Sequence, residues 1–444
     1  MKLLREKMVE RTMKKILILL FLIISKEQAS AQLYFPPVSG SVWDTISPST
    51  LGWCQDKIDS LVDYLGNKNS KAFILLKDGK IVVEHYYGTF TQDSLWYWAS
   101  AGKSLTSFVV GIAKQEGLLN LSDSTSKYLG SGWTISPPVK EGQITILNQL
   151  TMTSGLDDGY DNYCTDDTCL RYLADAGMRW AYHTAPYTLL DGVIQNATGV
   201  TLNSYLQTKI KSITGMTGNF FPSGYNNVFF SKARSMARYG LLMLNRGNWA
   251  GTQIMTDTSY FNSMIRPSQQ LNQSYGYLWW LNGQPSFMLP GLQFVFPGPL
   301  SPNAPTDMYA ALGKNGQVIN IVPSQNLVWI RIGDAPSAGE VPTNFNDSIW
   351  QKLNDVFCST TSIDDSEISK STFVFPNPVS ILLHINNRNS KKLAITYEIV
   401  DVMGNKIKRW ISSEEKQEVG ISEIPSGLYF LRIGLRSEKI IVSN

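Results

Sequence analysis

Apolar residues in the first part of the chain follow two different periods. Between Leu51 and Asn67 they recur every three or four positions, which predicts an amphipathic helix. The runs Ala72–Leu76 and Lys80–Tyr87 read as strands, and Asp78-Gly79 between them favours a tight hairpin because glycine tolerates the positive φ of the turn. A period near 3.6 returns in Ser104–Glu116, which is therefore predicted to be a second helix.

The chain then divides into a helical part and a late group of strands. Helical segments and turns fill Asn120 to about Pro267, and Asn344–Phe357 has the period of a closing helix. Strand patterns recur in four places: Ser274–Leu281, Met308–Leu312, Val318–Val322 and Leu327–Ile332. Strands near both ends predict an α/β (α+β) domain over residues 32–358. Its sheet comes from both ends, the helical part forms a second lobe, and the site is expected in the cleft between them.

The N-terminal segment has the pattern of a targeting signal. Lys14 and Lys15 precede the apolar run Ile16–Ile24, and the small residues Ala29-Ser30-Ala31 follow. This order predicts a signal peptide over residues 1–31, with Met13 as an alternative start, and hence export. The apolar run is shorter than the roughly 20 residues that cross a bilayer, so no membrane span is expected.

The C-terminal segment has a third pattern. Residues 359–372 are rich in Ser, Thr and Asp and lack apolar periodicity, which predicts a linker. Residues 373–444 consist of short strand patterns separated by Pro, Asn and Gly, which predicts a small all-β module.

The charge and the cysteine and histidine content of the chain bear on its binding partners, metal sites and disulfides. A net charge of +3 without a basic run argues against nucleic acid as a partner. The three histidines are scattered and no C-x-x-C pair occurs, so neither a metal nor a cofactor is expected. Export permits disulfides. Cys164 and Cys169 would close a local loop and Cys54 with Cys358 would join the two ends of the domain, although four cysteines allow three pairings.

The S-x-x-K pattern occurs at Ser100, Ser124 and Ser413, and its context favours the first. Ser100 follows the aromatic run Trp96–Trp98 and opens an apolar helix, where residues i and i+3 share a face and Lys103 can reach the hydroxyl. Lysine becomes a base only if its pKa falls by ~3 units, which costs about 4 kcal/mol. Burial or a neighbouring cation would cause such a fall.

Three further segments carry a resemblance to a known family: LNQLTMTSGL from Leu147, WAYHTAPYTLL from Trp180 and ALGKNGQVIN from Ala311. Together with Ser100-Ala101-Gly102-Lys103, they resemble the serine hydrolases related to class C β-lactamases and D-alanyl-D-alanine peptidases. The resemblance covers about residues 51–358. It implies a β-lactamase/transpeptidase-like fold, in which an antiparallel sheet is sandwiched by helices and accompanied by a helical lobe.

The resemblance assigns roles to individual residues. Ser100 would be the acylated nucleophile and Lys103 its activator, with Tyr182 relaying the proton as a phenol or as a phenolate favoured by Lys103 and Lys314. Lys314, Asn315 and Gly316 would line the cleft as the third motif, and Thr184 would contact substrate. The backbone N–H groups of Ser100 and Gln317 would form the oxyanion hole.

Two departures from the family pattern bear on the substrate. Thr184 stands where the family has asparagine, and Asn315 stands where it has threonine. Acylation should survive both changes, whereas recognition of β-lactams or peptides should weaken. We expect hydrolysis of an ester or amide, with esterase-like activity preferred. The alternatives are a β-lactamase or D-amino-acid peptidase, and a binding protein that is catalytically inactive.

Two other patterns allow competing readings. No G-x-S-x-G segment occurs, so a Ser-His-Asp triad is disfavoured, and His183 is expected to be a packed histidine near the cleft. The aromatic stretch Tyr275–Trp280, with Trp98 and Phe294, could line the site as an apolar wall, although core packing is the commoner role of such residues.

The C-terminal module resembles the type A sorting domain of the type IX secretion system. The residues that carry the resemblance are Phe375–Pro378, Asp401–Gly404, Pro425–Phe430 and Lys439–Ile441. It implies the secretion machinery as a partner and a secreted or cell-surface location. A carbohydrate-binding module is the alternative.

Overall fold

A computed structural model describes residues 33–336, 342–358, 372–387, 395–402, 404–433 and 436–443. The predicted signal peptide and nearly all of the predicted linker lie outside these residues. The chain forms two compact units, Met1–Cys358 and Ser359–Asn444. No helix among the described residues has the length and apolar character needed to cross a membrane.

The first unit contains thirteen strands among its described residues. They are β1 Ser70–Lys77, β2 Lys80–Tyr86, β3 Trp96–Tyr97, β4 Asn219–Ser223, β5 Asn226–Ser231, β6 Asn248–Trp249, β7 Thr252–Gln253, β8 Trp280–Leu281, β9 Ser286–Phe287, β10 Phe296–Pro297, β11 Tyr309–Gly313, β12 Gln317–Val322 and β13 Leu327–Gly333.

The helices of this unit are mostly short. They are α1 Gln55–Asn67, α2 Gly102–Gln115, α3 Ser126–Leu129, α4 Pro138–Gln143, α5 Ile146–Leu150, α6 Thr184–Thr188, α7 Leu190–Thr198, α8 Leu202–Leu206, α9 Ser212–Thr214, α10 Ala233–Leu244, α11 Thr258–Met264 and α12 Pro342–Val356, with a π-helical turn at Gln207–Lys211.

The central sheet is antiparallel and joins both ends of the unit, as the sequence predicts. Its strand order is β2-β1-β13-β12-β11-β8. The β1–β2 hairpin turns at Asp78 and Gly79, both of which have positive φ. The predicted strand Ser274–Leu281 is wrong except for its last two residues, because Leu278 adopts a positive φ of 61° and the chain reverses there.

Helices cover both faces of this sheet. Gly240 of α10 packs so closely on β13 that a Cβ atom would lie 2.5 Å from Val328. On the opposite face, Trp350 of α12 donates a hydrogen bond to Asn320 Oδ1 at 2.9 Å. Successive residues of a strand point to opposite faces, so these contacts define the predicted sandwich of helix, sheet and helix. The fold class is confirmed.

The helical lobe extends along α2, whose side chains are almost all buried. The β4–β5 hairpin belongs to this lobe and pairs with β3, directly before Ser100. Two disulfides stabilise the unit. Cys54–Cys358 joins the start of α1 to the end of α12, and Cys164–Cys169 closes a loop before α6.

The second unit is all-β, as the sequence predicts. Its strands are β14 Thr372–Phe375, β15 Leu382–Asn387, β16 Ile395–Asp401, β17 Lys406–Ser412, β18 Lys416–Gly420, β19 Gly427–Ile433 and β20 Arg436–Val442. They form one sheet in the order β14-β15-β18 and another in the order β17-β16-β19-β20. The unit has its own core, in which Leu383, Tyr397 and Leu431 are completely buried.

Candidate active site

Ser100 lies in a strained turn immediately before α2. The preceding residue, Ala99, has a φ of +47°, which is unfavourable for a residue with a Cβ atom. The buried ring of Trp98 packs edge-on against Phe229, and the backbone N–H of Trp98 donates to the backbone carbonyl of Phe229 at 2.8 Å. These contacts hold the turn in place. The Ser100 side chain is thereby presented at the start of a buried helix.

Lys103 is the buried neighbour that the spacing of S-x-x-K predicts. Its Nζ lies 3.1 Å from Ser100 Oγ, and its residue is only 3% exposed. The ammonium lies over the rings of Tyr187 and Tyr182, at 4.3 and 5.3 Å from their centroids. Burial lowers the Lys103 pKa to about 7. A substantial fraction of this amine is therefore neutral at neutral pH and able to accept the Ser100 proton.

Tyr182 lies beside Ser100, and the interaction of its phenol with the Ser100 hydroxyl favours the ionised form. Trp280 stacks on its ring at 5.8 Å and Tyr275 packs edge-on at 6.2 Å. Burial among these aromatic rings raises the Tyr182 pKa, and the interaction with the Ser100 hydroxyl offsets only part of the rise. The raised pKa favours the phenol over the phenolate, the two forms that the sequence left open for Tyr182.

Asn162 fixes the segment that carries Tyr182. Its Nδ2 donates to the Tyr182 carbonyl at 2.8 Å, and its Oδ1 accepts from the Thr184 N–H at 3.2 Å. Its own carbonyl accepts from the Ala185 N–H at 3.0 Å. The sequence analysis did not identify Asn162 as a site residue. The only feature that pointed to it was its position in the polar segment just before Cys164.

Thr184, the predicted substrate contact, is buried. It begins α6 and is only 4% exposed, and its backbone is held by Asn162. The other neighbour of Tyr182, His183, is 1% exposed, and the charges that act on its ring belong to residues such as Asp158 and Arg179. Burial lowers the His183 pKa, so its imidazole is neutral.

The third motif lies against the Ser100 turn. Gly313, the last residue of β11, approaches so closely that a Cβ atom would lie 2.5 Å from the Trp98 carbonyl oxygen and 3.0 Å from the Ala101 nitrogen. The turn Lys314–Gly316 follows and leads into β12. Ser100 and the end of β11 are therefore brought together, although more than 200 residues separate them in the chain.

Side chains hold this turn in one conformation. Asn315 has a φ of +64°, and its Nδ2 donates to the Tyr97 hydroxyl at 2.8 Å. The Gln317 side chain is fully buried and pairs with the backbone of Gly333, with hydrogen bonds of 2.6 and 3.0 Å. Lys314 is exposed on the turn.

The predicted apolar wall is for the most part core. Trp98, Tyr275 and Trp280 are at most 4% exposed, and the last two pack against the Tyr182 ring. Phe294 differs, because it is 59% exposed. Its neighbour Gln293 donates to the Trp180 carbonyl at 3.0 Å, which places this aromatic residue on a loop beside the Tyr182 segment.

Comparisons with known proteins give two family matches. Residues 58–333 match the family described as Beta-lactamase, and residues 373–443 match the Secretion system C-terminal sorting domain. Both matches confirm the resemblances found in the sequence.

Individual relatives are distant. An uncharacterized protein of Alkalihalophilus pseudofirmus is 24% identical over 312 residues, which are 62% of this chain and 85% of that protein. Penicillin-binding protein 4* of Bacillus subtilis is 23% identical over 196 residues, which are 38% of this chain and 40% of that protein. This chain thus matches less than half the length of the second relative.

Solved structures show the same fold. A Bacillus anthracis protein that bears the name of a 6-aminohexanoate-dimer hydrolase aligns with a TM-score of 0.54 and 18% identity, over 73% of this chain and 88% of its own. A Bacteroides dorei protein that bears the name of a beta-lactamase aligns with a TM-score of 0.55 and 16% identity, over 69% and 99% of the two chains.

Proposed function

Because this chain belongs to the beta-lactamase family and carries a secretion sorting domain, we propose that it is an exported serine hydrolase that forms an acyl-enzyme on Ser100. The observation that carries the proposal is the 3.1 Å contact between Ser100 Oγ and a lysine Nζ whose pKa burial lowers to about 7. A buried lysine whose pKa is lowered and whose amine contacts a serine hydroxyl is typical of a catalytic site.

The proposed reaction has two halves. Neutral Lys103 takes the Ser100 proton while Oγ forms a bond to the substrate carbonyl carbon. The backbone N–H groups of Ser100 and Gln317 stabilise the negative oxygen of the tetrahedral intermediate. The intermediate then collapses, the bond to the leaving group breaks, and Tyr182 passes a proton from the Lys103 ammonium to that group. A water molecule hydrolyses the acyl-enzyme by the same steps.

We propose an ester with an apolar acyl group as the preferred substrate. Exposed aromatic residues stand on two loops beside the Tyr182 segment. Phe294 follows Gln293, which bonds to Trp180, and Tyr163 is close enough to Tyr182 to influence its pKa. Thr184 is buried and the Asn315 amide is bonded to Tyr97, so neither offers the free side chain that would recognise a peptide or β-lactam amide.

The test compares two substrates with the full chain. We expect nitrophenyl butyrate to be hydrolysed, a chromogenic cephalosporin to remain intact, and Ser100→Ala to abolish turnover. Fast cephalosporin hydrolysis would instead assign the protein to the β-lactamases. Equal rates for the wild type and Ser100→Ala would favour a binding protein of the same fold.

The proposed location follows from the second unit. Its match to a secretion sorting domain indicates export to the cell surface or the medium. The predicted signal peptide over residues 1–31 would serve the first membrane passage, and the sorting domain would engage the secretion machinery for the second.

A further inference from the structure

Arg331 is a buried cation next to the third motif. It lies on β13, is completely buried and has its guanidinium 5.1 Å above the ring of Phe345. A guanidinium remains protonated in proteins, so this charge is permanent. Burying a charge costs free energy unless its N–H donors form hydrogen bonds. The acceptors of these hydrogen bonds therefore indicate the role of the Arg331 side chain.

Two of the Arg331 hydrogen bonds reach the turn that precedes β12. Its Nη1 donates to the Asn315 carbonyl at 2.7 Å and to the Gly316 carbonyl at 3.1 Å. Other hydrogen bonds join the guanidinium to the Lys68 carbonyl, the Asp334 carbonyl and Ser70 Oγ. The guanidinium is thus held rigidly against this turn.

We propose that Arg331 is a positioning residue that strengthens the oxyanion hole through the Gly316–Gln317 peptide. The carbonyl of this peptide belongs to Gly316 and accepts from Arg331, while its N–H belongs to Gln317 and is the proposed second oxyanion donor. A cation at the carbonyl oxygen polarises the peptide and makes its N–H a stronger donor. The inference rests on the proposed function, because it requires a negative oxygen at that N–H.

Glycine at position 316 allows the Arg331 guanidinium to come close to the Gly316–Gln317 peptide. Gly316 has a φ of +73°, and a Cβ atom there would lie 3.0 Å from Arg331 Nη1 and 2.9 Å from the ring of Phe345. Glycine therefore lets the guanidinium reach the peptide. The buried Gln317 amide clamps the same residue to Gly333, so the N–H direction is fixed before substrate binds.

The experiment replaces Arg331 by Met and by Lys, with Arg238→Met as a matched control. Arg238 is also a buried arginine that donates to backbone carbonyls, at 2.6 Å to Thr214 and 2.7 Å to Pro37, but it lies on α10 away from the turn. The readouts are kcat and KM for nitrophenyl butyrate, the Kd of an alkyl boronic acid that forms a tetrahedral adduct with Ser100, and the urea unfolding midpoint.

We expect Arg331→Met to lower kcat about tenfold, less than the roughly 100-fold cost of deleting an oxyanion donor, with KM little changed. The boronic acid should bind about tenfold more weakly, because its negative oxygen occupies the same hole. Arg331→Lys keeps the charge and should lie between the wild type and Met. Arg238→Met should lower the unfolding midpoint and leave the boronic acid affinity unchanged.

A folded Arg331→Met protein that retains wild-type kcat and boronic acid affinity would overturn the inference and leave Arg331 a purely structural residue. If Arg331→Met does not fold, the same comparison is made with Arg331→Gln, which also removes the charge, and unchanged affinity there has the same meaning. A wild-type protein that neither hydrolyses the ester nor binds the boronic acid through Ser100 would contradict the proposed function itself.

Discussion

Burial shifts the pKa values of Lys103 and Tyr182 in opposite directions. Removal from water disfavours the charged form of each group, so the lysine pKa falls to about 7 while the tyrosine pKa rises. Near neutral pH the site therefore holds an amine that is partly neutral and a phenol that keeps its proton. In the proposed reaction, the same burial therefore provides a base for Ser100 and a proton donor for the leaving group.

Replacement of Lys103 by arginine tests this assignment. In the wild type, kcat/KM for nitrophenyl butyrate should rise as pH increases through about 7, because the ammonium loses its proton there, and should then level off. In Lys103→Arg the rate should fall about 100-fold or more, because guanidinium stays protonated. The measurement is a pH–rate profile of both proteins.

Lys211→Arg is the matched control for this substitution. Lys211 is also buried with a lowered pKa, but its Nζ bonds to Asn219 at 2.9 Å rather than to Ser100. It should retain the wild-type profile. A Lys103→Arg protein with wild-type activity would exclude Lys103 as the base.

Among the elements, loops and turns position the catalytic groups that the helices and strands carry. The stapled loop before α6 fixes Tyr182 through Asn162, and the turn between β11 and β12 brings the third motif against Ser100. Both segments are rich in polar residues, and hydrogen bonds that are at least partly buried hold each of them in one conformation. Activity should therefore respond to substitutions in these connections that leave the core intact.

Removal of the Asn162 side chain should lower kcat without a comparable loss of stability. Asn162→Ala deletes two hydrogen bonds to the Tyr182–Thr184 segment, and a displacement of ~1 Å at a reacting group can cost on the order of 100-fold in rate. We expect at least about a tenfold fall in kcat for nitrophenyl butyrate. Asn196→Ala removes a similar bond to the Tyr128 carbonyl and should leave kcat unchanged. Equal kcat values for the two variants would contradict a positioning role.

A methyl group at Gly316 should damage both stability and activity. Gly316→Ala places a Cβ atom at 2.9 Å from Phe345 and 3.0 Å from Arg331, in addition to the strain of a positive φ. Gly199→Ala is matched, because Gly199 has a φ of +74° with open space around its Cβ position, so it should cost only about 1 kcal/mol. Urea unfolding and ester hydrolysis of both variants measure the difference. Similar losses in the two would mean that the turn tolerates the added atom.

Over the whole molecule, two disulfides constrain very different lengths of chain. Cys54–Cys358 spans 304 residues and ties the two ends of the catalytic unit together, whereas Cys164–Cys169 spans 5. A longer closed loop removes more entropy from the unfolded chain, so the first bridge should contribute more to stability and the second should act mainly on the local loop.

Paired serine variants separate these roles. Replacing Cys54 and Cys358 by serine should lower the free energy of unfolding by up to about 5 kcal/mol while the folded protein keeps its kcat. Replacing Cys164 and Cys169 should cost about 2 kcal/mol or less but lower kcat, because Asn162 lies just before Cys164 and bonds to the Tyr182 segment. Urea unfolding and ester turnover test both pairs. The opposite pattern would show that the stapled loop does not position Tyr182.

The sequence by itself determined the architecture and the pairing of Ser100 with Lys103. Periods of two and 3.6 residues located the sheet strands and the main helices, and the S-x-x-K spacing placed Lys103 within reach of Ser100. These predictions succeed because strand and helix geometry fix which residues share a face over a few positions. The strand expected over Ser274–Leu281 failed because a local reversal at Leu278 leaves no mark on hydrophobic periodicity.

Only the tertiary structure decided the chemical state and the support of the site. Packing around each side chain decides that Tyr182 keeps its proton and that Thr184 is buried. Packing also decides that most of the predicted aromatic wall belongs to the core. Asn162 and Arg331 form hydrogen bonds with segments distant in sequence, and spacing along the chain does not predict these contacts. A pKa and a hydrogen-bond partner depend on the three-dimensional surroundings of a group, and those surroundings come from segments that only folding brings together.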